Sequence, residues 1–290
     1  MLTKEEFKNL TSKGAVILDG ATGSNLRNSG MPKGCCTEKW VLENPAVLQD
    51  LQRRYAESGS QILYAPTFQA QPLALKAVGL EMQTEKVNAE LIAISRAAAP
   101  NCLIAGDIAT MAGVCDSWDE GNFDLLVENY RRQIHGLIDG GADLLVGETL
   151  MYAVEAEAIL TAAELEGAGA IMFSFTMQPD GSLFSGAEVG PILKSLEEGG
   201  ADAVGFNCVA ADMMTPHLVS KLRRYTKLPL ICKPNAGIPV IGADGIARYN
   251  MKQAEFAGIV KQCFDNGACI LGGCCGTTPE YIREVAKAVK

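Results

Sequence analysis

The 290-residue sequence predicts an α/β protein built as one (β/α)8 TIM barrel, a single domain over residues 1–290. Three observations carry this expectation. Short apolar, β-rich runs recur eight times, a longer segment with helical spacing follows each, and several of these segments pass through glycine straight into the next run. Near-continuous apolar strands suit a sheet covered on both faces, and helices between them imply parallel pairing. Eight such units in this length close a barrel more readily than they fill two doubly wound sheets, and no linker or break in composition divides them.

In order, the strands are expected at 15–19, 61–65, 102–106, 143–147, 170–174, 203–207, 229–233 and 268–272. Before the second, Val47, Leu48, Leu51 and Tyr55 share a helical face; before the fourth, Leu125, Leu126, Ile134, Leu137 and Ile138 do the same. Glycine caps end the helices at Gly59, Gly140-Gly141, Gly199-Gly200 and Gly267.

Composition narrows the function. A formal charge of -9 with scattered lysines and arginines argues against nucleic acid or an anionic membrane as partner. Residues 1–13 mix charged with apolar side chains and lack the apolar core of an export signal, and no run approaches the ~18 apolar residues of a membrane helix. The expectation is a soluble, cytoplasmic protein. Ten cysteines are an even number, but a disulfide framework belongs to short exported chains. Cys102, Cys232, Cys263 and Cys269 lie in or beside apolar runs and are expected to pack as small hydrophobes.

Chemistry in a barrel gathers where strands end and loops begin. Asp19, Glu148 and Asn235 are expected just past the first, fourth and seventh strands, on that rim. Cys274 and Cys275, bracketed by Gly272, Gly273 and Gly276, cannot continue a strand, because neighbouring strand side chains point to opposite faces. The chain must turn there, with glycine supplying positive φ, before a helix starts at Thr278-Pro279. Cys208, ending the sixth strand, is the candidate third thiolate. Three sulfurs favour Zn2+ over magnesium or calcium, and three protein ligands leave one position for water or substrate. A thiol there would be held as thiolate at neutral pH, which points to thiol activation over hydrolysis. Spacing alone also admits packed, metal-free thiols, and Cys35-Cys36 is a rival vicinal pair in the first loop. His135 and His217 fall in helical segments and are expected at the surface or in packing. Lys233 would suit a Schiff-base aldolase, a reading that leaves the cysteines unexplained.

Four motifs, Leu18-Asp19-Gly20-Ala21-Thr22-Gly23, Gly205-Phe206-Asn207-Cys208, Lys233-Pro234-Asn235-Ala236-Gly237 and Gly272-Gly273-Cys274-Cys275-Gly276, resemble the homocysteine S-methyltransferase family along essentially the whole chain, in particular the homocysteine-binding barrel of cobalamin-dependent methionine synthase. The resemblance implies that Cys208, Cys274 and Cys275 hold Zn2+ and that the sulfur of homocysteine takes the open position and attacks an activated methyl group, giving methionine. It further implies that the loop of Asp19, Gly20, Ala21 and Thr22 receives the amino-acid end, its N–H groups facing the carboxylate. Glu148 would pair with the substrate ammonium and Asn235 would orient substrate or site.

With one barrel there is no room for folate or cobalamin modules, so the methyl donor is expected from outside: a small sulfonium such as S-methylmethionine or S-adenosylmethionine, or a methylcorrinoid protein. Betaine is disfavoured, since its cation wants an aromatic cage and the only tryptophans are Trp40, which could line the donor side, and Trp118. Alternatives are action on another thiol, or service as the thiol-presenting subunit of a corrinoid-dependent system.

Overall fold

The computed structural model describes residues 1–111, 122–242 and 245–290. All eight expected strands lie among them: β1 (Val16–Ile17), β2 (Ile62–Tyr64), β3 (Leu103–Ala109), β4 (Leu144–Leu150), β5 (Ile171–Phe175), β6 (Ala203–Ala210), β7 (Leu230–Asn235) and β8 (Ala268–Leu271). They pair in parallel in the order β1-β8-β7-β6-β5-β4-β3-β2. The ends of that series meet where Leu18 bridges Ile62 and the Gln61 N–H donates to the Ile17 carbonyl at 2.7 Å. The sheet thereby closes into a TIM barrel. An antiparallel ribbon, Val240–Ile241 with Ala247–Arg248, is inserted after β7 and was not expected from the sequence.

The helices follow their apolar stripes. In Pro45–Glu57, opened by proline at its first turn, Leu48, Leu51 and Tyr55 are buried against the sheet. In Phe123–Asp139, Leu126, Ile134 and Leu137 are buried, but Leu125 is 45% exposed. Successive helical residues are about 100° apart, so Leu125 and Leu126 cannot share one face. Gly59, Gly141, Gly200 and Gly267 all take positive φ, and each leads within a few residues into the next strand. No helix among the described residues is long and apolar enough to cross a membrane.

Two apolar clusters result. The larger lies between strands and helices and absorbs Cys102, Cys232 and Cys263. The smaller fills the barrel with inward side chains such as Leu18, Ile62, Val146, Met172, Ile231 and Ile270, and is joined by Phe7. Phe7 comes from the N-terminal helix Lys4–Thr11, whose start is fixed by a capping box between Thr3 and Glu6. Leu2 donates to the Asp143 carbonyl and accepts from the Ala170 N–H, tying this segment to the strand starts. Residues 1–13 thus plug the bottom of the barrel.

Candidate active site

Side chains alternate along a strand, so every second residue continues the inward stripe. Toward the top that stripe turns polar. Ala105 is succeeded by Asp107, Val146 by Glu148, Met172 by Ser174, Gly205 by Asn207, and Ile231 by Lys233 and then Asn235. Glu148 therefore sits within β4 and Cys208 within β6, and Asn235 is the last residue of β7, so none of the three lies past its strand; only Asp19 lies beyond its own.

Cys208 escapes simple alternation. Pairing shifts between Gly147 and Leu150 in β4 and between Asn207 and Ala210 in β6, as in β-bulges. Thr149 (φ 59°) and Cys208 (φ 58°), the non-glycine residues with left-handed backbone among the described residues, occupy these irregularities. One amide joins them. Asn207 Oδ1 accepts from the Thr149 N–H at 2.9 Å and Ser174 Oγ at 3.0 Å, while Nδ2 donates to Thr149 Oγ1 at 2.6 Å and lies 3.8 Å from Cys274 Sγ.

The second thiol segment turns directly after β8. Gly276 takes φ 81°, and a Cβ there would lie 2.3 Å from the Tyr249 ring. Gly272 and Gly273 have no positive φ; they are required because a Cβ would meet the Asp19 carbonyl at 2.7 Å or the Thr277 side chain at 2.5 Å. Close approach, more than turning, fixes those two glycines. The end of β7 laces both segments together: Cys274 N–H donates to the Pro234 carbonyl (2.7 Å), Ala236 N–H to the Cys275 carbonyl (3.0 Å), and Asn235 Nδ2 to the Cys208 carbonyl (3.0 Å). The helix Pro279–Ala288 then begins as expected.

The Sγ atoms of Cys208, Cys274 and Cys275 all lie within 4.8 Å of one another, with Cys208 and Cys275 3.8 Å apart. Thiolates at ~2.3 Å from a tetrahedral zinc stand about 3.8 Å apart, so the donor set fits such an ion. The thiols are unequal. Hydrogen bonds from Cys208 and Cys274, and from the Tyr249 hydroxyl, lower Cys275 to about 3, while its role as donor to the other two pushes Cys208 far up.

Below the sulfurs lies a buried charged pocket. Lys233 Nζ stands 3.0 Å from Glu148 Oε1, 3.7 Å from Asp19 Oδ1 and 4.6 Å from the centroid of the Tyr64 ring. Asp19 Oδ2 accepts the Tyr64 N–H at 2.9 Å. Burial raises Asp19 to about 7 against the pull of Lys233, and burial with the charge of Glu148 drives Asp107 well above the carboxylate range. Burial would depress Lys233, but Glu148 and Asp19 outweigh it and hold the ammonium charged. Asp107, Asn207 and Tyr249 were missed in the sequence. For the first two the signal was present, one inward step beyond an apolar stripe.

The loop after β1 is held from below. Ala21 gives its N–H to Thr277 Oγ1 (3.1 Å) and its carbonyl to Tyr55 Oη (2.9 Å) and Asn25 Nδ2 (2.7 Å). A Cβ on Gly20 would strike Tyr55 Oη at 2.6 Å, so nothing larger fits. Thr22 precedes the short helix Gly23–Asn28 without a side-chain cap bond. Cys35 and Cys36 stay apart from the thiol cluster; the Cys36 thiol donates to Glu38. His217 is exposed and His135 pairs with Glu166 and Asp139 on the surface. Trp40 packs against the outer core, and Trp118 lies outside the described residues. A cavity of about 250 Å³ opens beside Cys208 and Asn235, walled by Met177, Phe184, Val209, Met214 and Pro239.

A parallel barrel with three converging thiols over a buried acidic pocket at its C-terminal mouth defines a barrel enzyme built to handle sulfur. The model of the homocysteine S-methyltransferase family matches residues 16–289, and the chain belongs to that family of methyltransferases. It is 27% identical over 292 residues to a methionine synthase of Mycobacterium leprae and 28% over 305 residues to one of Mycobacterium tuberculosis, covering 94% and 98% of this chain. The chain spans about a quarter of the length of these relatives, 24% and 25%. The solved homocysteine methyltransferase MmuM from Escherichia coli, in its metallated form, is 25% identical with a TM-score of 0.83, over 97% of this chain and 98% of that one. Its apo form gives a TM-score of 0.75.

Proposed function

We propose that this barrel transfers a methyl group to the thiol of homocysteine, giving methionine, with Cys208, Cys274 and Cys275 as ligands to one zinc ion. The observation that carries this reading is the mutual approach of three sulfurs from β6 and the turn after β8. When bound, zinc supplies a position for a fourth sulfur and favours its thiolate at neutral pH. The protein does the rest by placement. Glu148 and Asp19 receive the substrate ammonium, the N–H groups of Gly20 and Thr22 face its carboxylate, and Ala21 anchors that loop. Asn235, whose Oδ1 is buried without a hydrogen-bond partner, faces the cavity beside Cys208 and orients the incoming groups.

The donor enters from that cavity. Its wall carries one carboxylate, Asp212, already accepting the Met214 and Thr215 N–H groups, and one aromatic ring, Phe184. A methylcorrinoid held by a partner protein and a small sulfonium such as S-methylmethionine or S-adenosylmethionine are the two donor classes. Zinc-loaded protein should turn over homocysteine with one of these donors and carry close to one zinc per chain. Turnover with none, by a chain that holds zinc and binds homocysteine, would leave it as a thiol-presenting subunit. Failure to bind homocysteine at all would overturn the reading.

A further inference from the structure

The pocket under the sulfurs holds more acid than one lysine can answer. Asp19 stands just beyond β1, Asp107 and Glu148 lie in the upper parts of β3 and β4, Lys233 comes from β7, and each of the four is at least nine-tenths buried. Asp19 Oδ1 and Tyr64 Oη are buried without a hydrogen-bond partner, Glu148 Oε1 at 3.0 Å from Lys233 is off hydrogen-bond alignment, and Asp107 Oδ1 finds a partner only by sharing a proton with Glu148. Buried acceptors are normally satisfied, so this density of unsatisfied oxygen marks a place built for a ligand that donates. A carboxylate offers about four lone-pair sites, and Glu148 and Asp19 each touch Lys233 through one oxygen.

We infer that Lys233 is a positioning residue that sets thiol specificity: the fixed ammonium of a two-ammonium pocket, holding Glu148 and Asp19 ready for an α-ammonium on the substrate. The inference rests on the proposed homocysteine reading and deepens it. Three carboxylates buried together cannot all ionise. Burial, and after it the charge of Glu148, push Asp107 well above the usual carboxylate range. Glu148 and Asp19, each touching Lys233 through one oxygen, keep further acceptor sites that a second cation would fill. Without Lys233 the acids would take up further protons, and a neutral acid no longer selects an ammonium. The other groups facing the Lys233 ammonium are Tyr64 and Cys274.

The test compares three probes on zinc-loaded protein by calorimetry and ligand-observed NMR: L-homocysteine, 4-sulfanylbutanoate, which lacks the ammonium, and L-2-aminobutanoate, which lacks the thiol. Lys233→Met, close in volume, should weaken homocysteine and 2-aminobutanoate at least tenfold and leave 4-sulfanylbutanoate within threefold. Lys233→Arg, which keeps the charge, should hold the wild-type preference within threefold, and it carries the test if the Met variant does not fold. Equal loss of all three probes in the Met variant, tighter homocysteine binding, or lost preference in the Arg variant overturns the inference. Binding of 2-aminobutanoate needs neither metal nor sulfur. If wild type binds it in a Lys233-dependent way but handles no thiol, the homocysteine reading fails and the ammonium pocket stands.

Discussion

The two ends of this barrel are made from the same eight strands and obey the same alternation, yet they differ in kind. At the bottom, inward positions are apolar and Phe7 fills the mouth from outside. At the top, inward positions are Asp107, Glu148, Ser174, Asn207, Lys233 and Asn235, with several buried oxygens unpartnered. A fold tolerates such unsatisfied groups where binding repays them, and where packing elsewhere is secure. The lower end supplies that security. Substitutions at the bottom should therefore alter stability and spare chemistry, and those at the top should do the reverse.

The contrast is broken most severely at the sulfurs. Cys275→Ser should lower zinc affinity by more than the about 10–100-fold that an outer partner costs, and abolish methyl transfer, with the thermal midpoint of the metal-free protein unchanged. Metal analysis and melting curves on the same preparation check both halves. At the other end, Phe7→Ala should cost about 3–5 kcal/mol in denaturant unfolding, while KM for homocysteine stays at the wild-type value. A rise in KM would mean that the two ends are not independent.

Asp19→Asn should weaken homocysteine about 10–100-fold through loss of a charged acceptor. It also tests sign. Because the folded state holds the Asp19 proton up to about 7, while an unfolded aspartate releases it near ~3.9, this group's contribution to stability falls as pH rises across that window. Asn should flatten that stretch of the stability curve. An arriving ammonium favours the ionised form, so 2-aminobutanoate should bind wild type more tightly as pH rises through about 7, with proton release, and Asn should remove the trend.

Much of this was legible in the sequence for a physical reason. Strand order, helix stripes and glycine caps are local signals with fixed periods, and Cys274-Cys275 announced a turn because no strand can aim adjacent residues at one point. The third sulfur was harder. Cys208 reaches the mouth through a left-handed residue in a bulge, and no pattern in 203–210 requires one. The three acids and Lys233 meet only because the barrel closes, which joins residues more than two hundred positions apart. The Val240–Ile241 ribbon is exposed on both strands, so no buried face gives it a pattern to be read.

The tie through Asn207 has a consequence for how such a mouth could be re-engineered or drift. The backbone at Cys208 suits only a few side chains: left-handed φ is tolerated by asparagine, aspartate or histidine and resisted by valine, isoleucine or threonine. Threonine nonetheless occupies the matching kink at 149, held there by the same amide. Swapping the proposed sulfur ligand for an oxygen or nitrogen one is therefore a short step at position 208, whereas relocating it along the stave would mean rewriting two strands together.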